Sequence, residues 1–72
     1  MDKSIHSKEY KLILDRMRRA RLEAGLTQVQ VAKKLSHHQS YVSKIESGER
    51  RVDVIELSKF AKLYGKSVNH FL

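Results

Sequence analysis

Three glycines and no proline punctuate this chain, and the residues just after each glycine limit where its helices can begin. Gly25 is soon succeeded by Thr27, Gly48 by Asp53 and Gly65 by Ser67. Glycine takes the left-handed backbone that closes a helix, and a Thr, Asp or Ser oxygen accepts from the free amides that open the next. Gln30 stands three residues after Thr27, and Glu56 three after Asp53, the spacing of a reciprocal capping box. A further break at Ser36-His37-His38 leaves no long uninterrupted helix after Gly25. The chain must therefore pack as short helices around a shared core.

Periodicity fills in the segments. The spacing predicts a first helix over Ser7–Ala24, with Tyr10, Ile13, Met17, Ala20 and Ala24 on one face. Leu14 lies beside that stripe, and Leu12 and Leu22 fall on the other side. A second helix, Thr27–Leu35, turns Val31, Ala32 and Leu35 inward with Val29 beside them, and a third, Gln39–Ser47, buries Val42 and Ile45. A fourth, capped by Asp53, buries Val54, Leu57, Phe60, Ala61 and Tyr64. Ser67 is expected to cap a last short helical turn in which Val68, Phe71 and Leu72 fold back on the bundle. There is no strand-like alternation, repeat or linker. The reading is one all-α domain over residues 1–72, five short helices with residues 1–6 flexible.

Composition narrows the function. The chain lacks cysteine, which excludes disulfides, thiolate metal sites and thiol catalysis. Its longest apolar runs, such as Leu12-Ile13-Leu14, are three residues, too short for a membrane span. Fifteen Lys and Arg against eight Asp and Glu give a net charge of +7 and a pI near 10.0. On a compact domain this favours nucleic acid as the partner, with an acidic membrane surface second. The excess is spread over residues 8–24, 27–47 and 54–72 with no purely cationic block, so recognition must come from a folded surface. Charge alone is equally compatible with a solvated basic surface.

Two helices joined by three residues have the size of a helix-turn-helix, which by itself is weakly specific. More specific is the outward face of the second. With Val42 and Ile45 inward, Gln39, Ser40, Ser43, Lys44 and Ser47 point out, with no Glu/Lys pair at four-residue spacing. Gln can pair bidentately with adenine, Ser can bond several base edges, and Lys suits guanine or phosphate.

The stretch Gly25-Leu26-Thr27-Gln28, Val31-Ala32, Leu35 and Gln39-Ser40-Tyr41-Val42-Ser43-Lys44-Ile45-Glu46-Ser47-Gly48 resembles the phage-repressor/Cro-type helix-turn-helix family, the xenobiotic-response-element regulators. The likeness covers about residues 10–72, through Val54-Ile55-Glu56-Leu57 and Ala61-Lys62-Leu63-Tyr64-Gly65. It implies a five-helix lambda-repressor-like domain that binds double-stranded DNA. Gln39, Ser40, Ser43 and Lys44 match base-reading positions. Gln28 matches a residue that grips a phosphate and orients Gln39, while Thr27, Ser47, Arg50 and Arg51 match positions near the DNA backbone, which Tyr41 also approaches. Arg21 and Glu46 match an ion pair tying the first helix to the recognition helix; the helical spacing of Arg21 with Met17 and Ala24 agrees with that structural role. Four positions depart from the pattern: the turn Ser36-His37-His38 stands for a usual Gly-Val-Ser, with Ser36 in the glycine's place and His38 at the usual Ser cap, and Val52 stands for a usual proline.

Other readings are weaker. Four histidines (His6, His37, His38, His70) suggest a metal, but no Cys or carboxylate stands at ligand spacing, so none is expected. No nucleophile elbow or phosphate-cradling glycine loop is present, so neither catalytic residues nor a cofactor is expected. Arg16, Arg18 and Arg19 read more readily as a solvated face than as phosphate contacts. The expectation is a cytoplasmic transcriptional regulator, a repressor acting as a homodimer, with Phe71, Leu72 and Tyr64 or Val68 as a self-complementary patch. The alternative is an antitoxin or adaptor whose main partner is a protein, a toxin or a co-regulator. RNA binding is a third option, weakened by a face whose only stacking aromatic is Tyr41.

Overall fold

The computed structural model describes residues 7–72; the lead expected to be flexible, residues 1–6, lies outside the described residues. Four α-helices come in order, α1 (Lys8–Glu23), α2 (Gln28–Lys34), α3 (Gln39–Ser47) and α4 (Val54–Leu63), and a 3₁₀ turn, Val68–Phe71, closes the chain.

Local chemistry explains most of these limits. Ser7 Oγ accepts from the Tyr10 amide at 3.1 Å to start α1. Thr27 and Gln30 complete one capping box and Asp53 and Glu56 another, each satisfying two amides that a helix start would otherwise leave unpaired. At the other ends, α1, α2 and α4 share one device. In α1 the Leu26 amide donates to the Arg21 carbonyl at 3.2 Å and the Gly25 amide to that of Leu22 at 3.0 Å. His37 and Ser36 repeat this over Ala32 and Lys33, and Lys66 and Gly65 over Ala61 and Lys62. The motif needs a left-handed residue, supplied by Gly25 and Gly65 at φ 73° and 72° but by Ser36 at φ 60°.

The expected fifth helix is a correction. Val68–Phe71 is held by short-span bonds, from the His70 amide to the Ser67 carbonyl and from the Leu72 amide to that of Asn69. Ser67 occupies the cap position, yet its side chain makes no cap bond. At four residues, the piece is short enough to settle as one 3₁₀ turn.

The core gathers Leu14, Met17 and Ala20 from α1, Val31 and Ala32 from α2, Val42 and Ile45 from α3, and Leu57, Phe60, Ala61 and Tyr64 around α4. Val52 and Phe71 complete it, while Tyr10, Ile13 and Leu35 pack against it half-buried. Three residues expected inside are exposed: Ala24, Val54 and Leu72. Ala24 is the cap residue of α1 and lies past its last buried turn. Val54 is the first residue of α4, where the preceding Val52 closes the core instead. Phe71 is buried completely, leaving Leu72 beyond it. The patch expected from Phe71 and Leu72 with Tyr64 or Val68 is therefore not presented as a whole: Phe71 and Tyr64 finish the core, Val68 is half-buried, and Leu72 is exposed.

Two ties secure α1 to distant chain. The Val52 amide donates to Tyr10 Oη at 3.0 Å, a bond that the usual proline at this position could not make. Arg16 Nη1 lies 3.1 Å and 3.2 Å from the carbonyls of Phe71 and Leu72, so Arg16 is a strut of the fold and not part of a solvated face.

Candidate nucleic-acid interface

The turn between α2 and α3 is well held despite its unusual sequence. Its backbone bonds close on Ala32 and Lys33, and the His37 ring stacks on Tyr41 with centroids 3.7 Å apart and planes 11° from parallel. His38 stands extended at the start of α3, and its side chain makes no cap bond.

The turn sends α3 across the molecule with Val42 and Ile45 fully buried. Gln39, Ser40, Lys44 and Ser47 are exposed on its outer side and Ser43 is half-buried. Two of these serines are engaged locally: Ser43 Oγ donates to the Ser40 carbonyl at 3.3 Å, and Ser47 Oγ is within reach of the Lys44 carbonyl and the Glu49 carboxylate. Such bonds are exchanged readily for an incoming acceptor, whereas Gln39, Ser40 and Lys44 present side chains with no partner among the described residues.

Glu46, beside this face, is turned away from it. Arg21 Nε donates to Glu46 Oε2 at 2.8 Å and Arg21 Nη2 to Oε1 at 3.1 Å, in a two-pronged pair whose side chains are 9% and 6% exposed. Arg21 Nη1 also donates to the Leu26 carbonyl at 2.9 Å, and Gln28 Nε2 to Glu46 Oε1 at 3.1 Å. A carboxylate that would repel phosphate is thus neutralised inside the protein. One cluster joins α1, α2 and α3.

A second cluster fixes the loop after α3. Tyr41 Oη donates to Glu56 Oε2 at 2.7 Å, and the Arg50 guanidinium lies 4.8 Å from the Tyr41 ring centre. Arg50 Nη1 pairs with Glu56 at 3.1 Å and donates to the Arg51 carbonyl at 3.1 Å. Burial, and after it the bond to Glu56 and its charge, pushes the Tyr41 hydroxyl up to about 12. Burial would raise the Glu56 carboxyl, but bonds from the Asp53 amide, Tyr41 and Arg50 outweigh it and hold the group below its ordinary value.

The helix-turn-helix family of the phage-repressor/Cro type has a sequence model that matches residues 17–71, from the middle of α1 through the closing turn. The chain belongs to that family. Its members are DNA-binding transcription regulators. A search among curated proteins finds no match.

Within this helix-turn-helix domain, the positions suggested by the resemblance divide by what each side chain already does. Gln39, Ser40, Ser43 and Lys44 share one outward face of α3. Thr27, which caps α2, Ser47 at the end of α3, and Arg50 and Arg51 in the loop after it are all exposed. Gln28 reaches Glu46 and not Gln39, so its hold on α3 runs through the buried pair. The Tyr41 hydroxyl is committed to Glu56 and the Arg50 head to both. Sequence reading missed the Tyr41–Arg50–Glu56 cluster because its members come from two helices and a loop, with no common period; Glu56 was legible only as a cap. It also missed Arg16, whose acceptors are main-chain carbonyls that carry no side-chain signature. Of the histidines, His37 stacks on Tyr41, His70 meets Phe71 edge-on at 5.5 Å, and His6 lies outside the described residues. Among the described residues no helix is long and apolar enough to cross a membrane.

Proposed function

We propose that this chain binds double-stranded DNA sequence-specifically, laying α3 in the major groove, and represses transcription by occupying its operator. The observation that supports this reading is the outer face of α3. Gln39, Ser40 and Lys44 stand exposed without partners among the described residues, while the adjacent Glu46 is drawn inward by Arg21 and Gln28. A helix so presented offers amide, hydroxyl and ammonium groups to base edges and no bare acid to phosphate. Gln39, Ser40, Ser43 and Lys44 read bases in this account, and Thr27, Gln28, Ser47, Arg50 and Arg51 lie along the backbone. Tyr41 acts there through Arg50, by fixing the loop that carries it.

A two-fold operator bound by a homodimer belongs to the same proposal, with half-sites about one helical turn apart. Val54 and Ile55, 65% and 64% exposed at the start of α4, offer the apolar surface that the buried Phe71 does not. A location in the cytoplasm accords with action on an operator. Selection of bound sites from random duplex DNA tests the reading: one recurring motif is expected, two-fold if the dimer is right. A second reading, an antitoxin or adaptor serving a protein partner, draws on Leu12 and Leu22, 52% and 57% exposed on the back of α1. Selection returning no motif would remove the first reading in favour of the second.

A further inference from the structure

Four arginines crowd the second half of α1, and the structure gives them different tasks. Arg16 holds the carbonyls of Phe71 and Leu72, Arg19 pairs with Asp15 at 3.0 Å, and Arg21 is buried against Glu46. Arg18 alone of the four is exposed with no hydrogen bond or ion pair to any described residue. Its position is particular. It lines a recess between α1, α2 and α3 together with Gln28, Ser43, Ser47 and the Arg21–Glu46 pair. It also lines the adjoining recess with Lys11, which stands two helical turns earlier, about 10 Å along the axis.

The charges around these recesses sum to an attraction for anions. Glu46 is neutralised by Arg21 and Asp15 by Arg19, which leaves Arg18 and Lys11 as the uncompensated groups among the described residues lining them. Both recesses are lined by Ser47, and the first also by Ser43, so they border the exposed face of α3. A duplex carries a phosphate row on each side of its major groove, and a helix lying in that groove brings its neighbours against those rows.

We propose that Arg18 is a phosphate contact, and that the DNA footprint extends from α2 and α3 onto α1, with Lys11 as its outer margin. This rests on the reading of α3 as a DNA-binding helix. The guanidinium would meet the phosphodiester row next to the phosphate nearest Gln28, giving affinity and register without reading a base.

The test compares the full chain with Arg18→Gln, Arg18→Lys and Arg19→Gln on duplex DNA. Binding is measured to a mixed-sequence duplex between about 50 and 200 mM salt. Arg18→Gln should flatten the log–log salt slope by about 0.9, so that affinity falls about 3.5-fold less across that range. Arg18→Lys, which keeps the charge, should restore the slope, and Arg19→Gln, which removes a charge already paired with Asp15, should leave it nearly unchanged. On a selected operator, one phosphate per half-site whose ethylation impairs the unaltered chain should cease to matter for Arg18→Gln. An unchanged slope and ethylation pattern in Arg18→Gln, or an equal flattening in Arg19→Gln, would overturn the assignment while leaving DNA binding intact. If the unaltered chain shows no salt-dependent duplex binding, the functional reading fails first and this inference with it.

Discussion

Removing Arg21 tests whether one buried pair holds α3 in place. Arg21 makes three hydrogen bonds, two to Glu46 and one to the Leu26 carbonyl, and Glu46 accepts a third from Gln28. In Arg21→Met the glutamate keeps only the Gln28 bond, and its side chain, 6% exposed, is shielded from water. Stranding a buried charge costs about 3–5 kcal/mol. A domain of this length has roughly 4–11 kcal/mol in all, so the variant loses about a quarter or more of its stability. At about 4–8 °C per kcal/mol, its melting temperature falls by at least roughly 12 °C. Arg21→Met combined with Glu46→Leu removes both charges and should recover most of that loss, because a well-packed apolar pair is often as stable as the ion pair it replaces. Urea unfolding monitored by far-ultraviolet circular dichroism gives the four corners of the cycle. Single losses below about 1 kcal/mol that simply add in the double variant would refute the argument, since a desolvated pair must couple.

Gln39→Ala should cost about 1–3 kcal/mol on the preferred operator and relax preference at one base pair per half-site, whereas Arg51→Ala should weaken all duplexes alike and lower the salt slope by about one; a panel of single-base operator variants at two salt concentrations separates them. Ser36→Gly should raise stability by about 0.5–1 kcal/mol, because φ at 60° strains a side chain that glycine lacks; a lower melting temperature would count against that. Tyr64 Oη is buried with no partner among the described residues, and Tyr64→Phe should be neutral or stabilising, a loss beyond about 1 kcal/mol showing that the hydroxyl is in fact bonded. The folded state lowers the Glu56 carboxyl below its ordinary 4.5, so its contribution is complete above that pH and lost as the medium acidifies through the lower folded value. Glu56→Gln should therefore show a shallower fall in stability below pH 4.5, and parallel curves for the two proteins would exclude this.

Much of the fold was legible in advance because its determinants are local. A cap oxygen, the amide three residues on and a glycine at the helix end meet within one turn of chain, so Thr27, Asp53, Gly25 and Gly65 announce their boundaries whatever surrounds them. The alternation that buries Val42 and Ile45 also decides, by geometry alone, that Gln39, Ser40 and Lys44 face outward. By itself, then, the amino-acid order determined a bundle of short helices and the composition of its candidate reading face.

The tertiary structure alone decided what the long side chains do. Arg16, Arg18, Arg19 and Arg21 are indistinguishable as residue types and near neighbours on one helix. Their partners lie 55 or 56 residues away for Arg16, 25 and five for Arg21, four for Arg19, and nowhere among the described residues for Arg18. The same holds for Tyr41, whose hydroxyl could have faced a phosphate but meets Glu56, and for Phe71, which fills the core in place of forming a patch with Leu72. A flexible side chain of several torsions reaches many points with similar local energy. Which point it takes is set by the charge or cavity that the folded chain brings there, and that information is absent from its sequence neighbours.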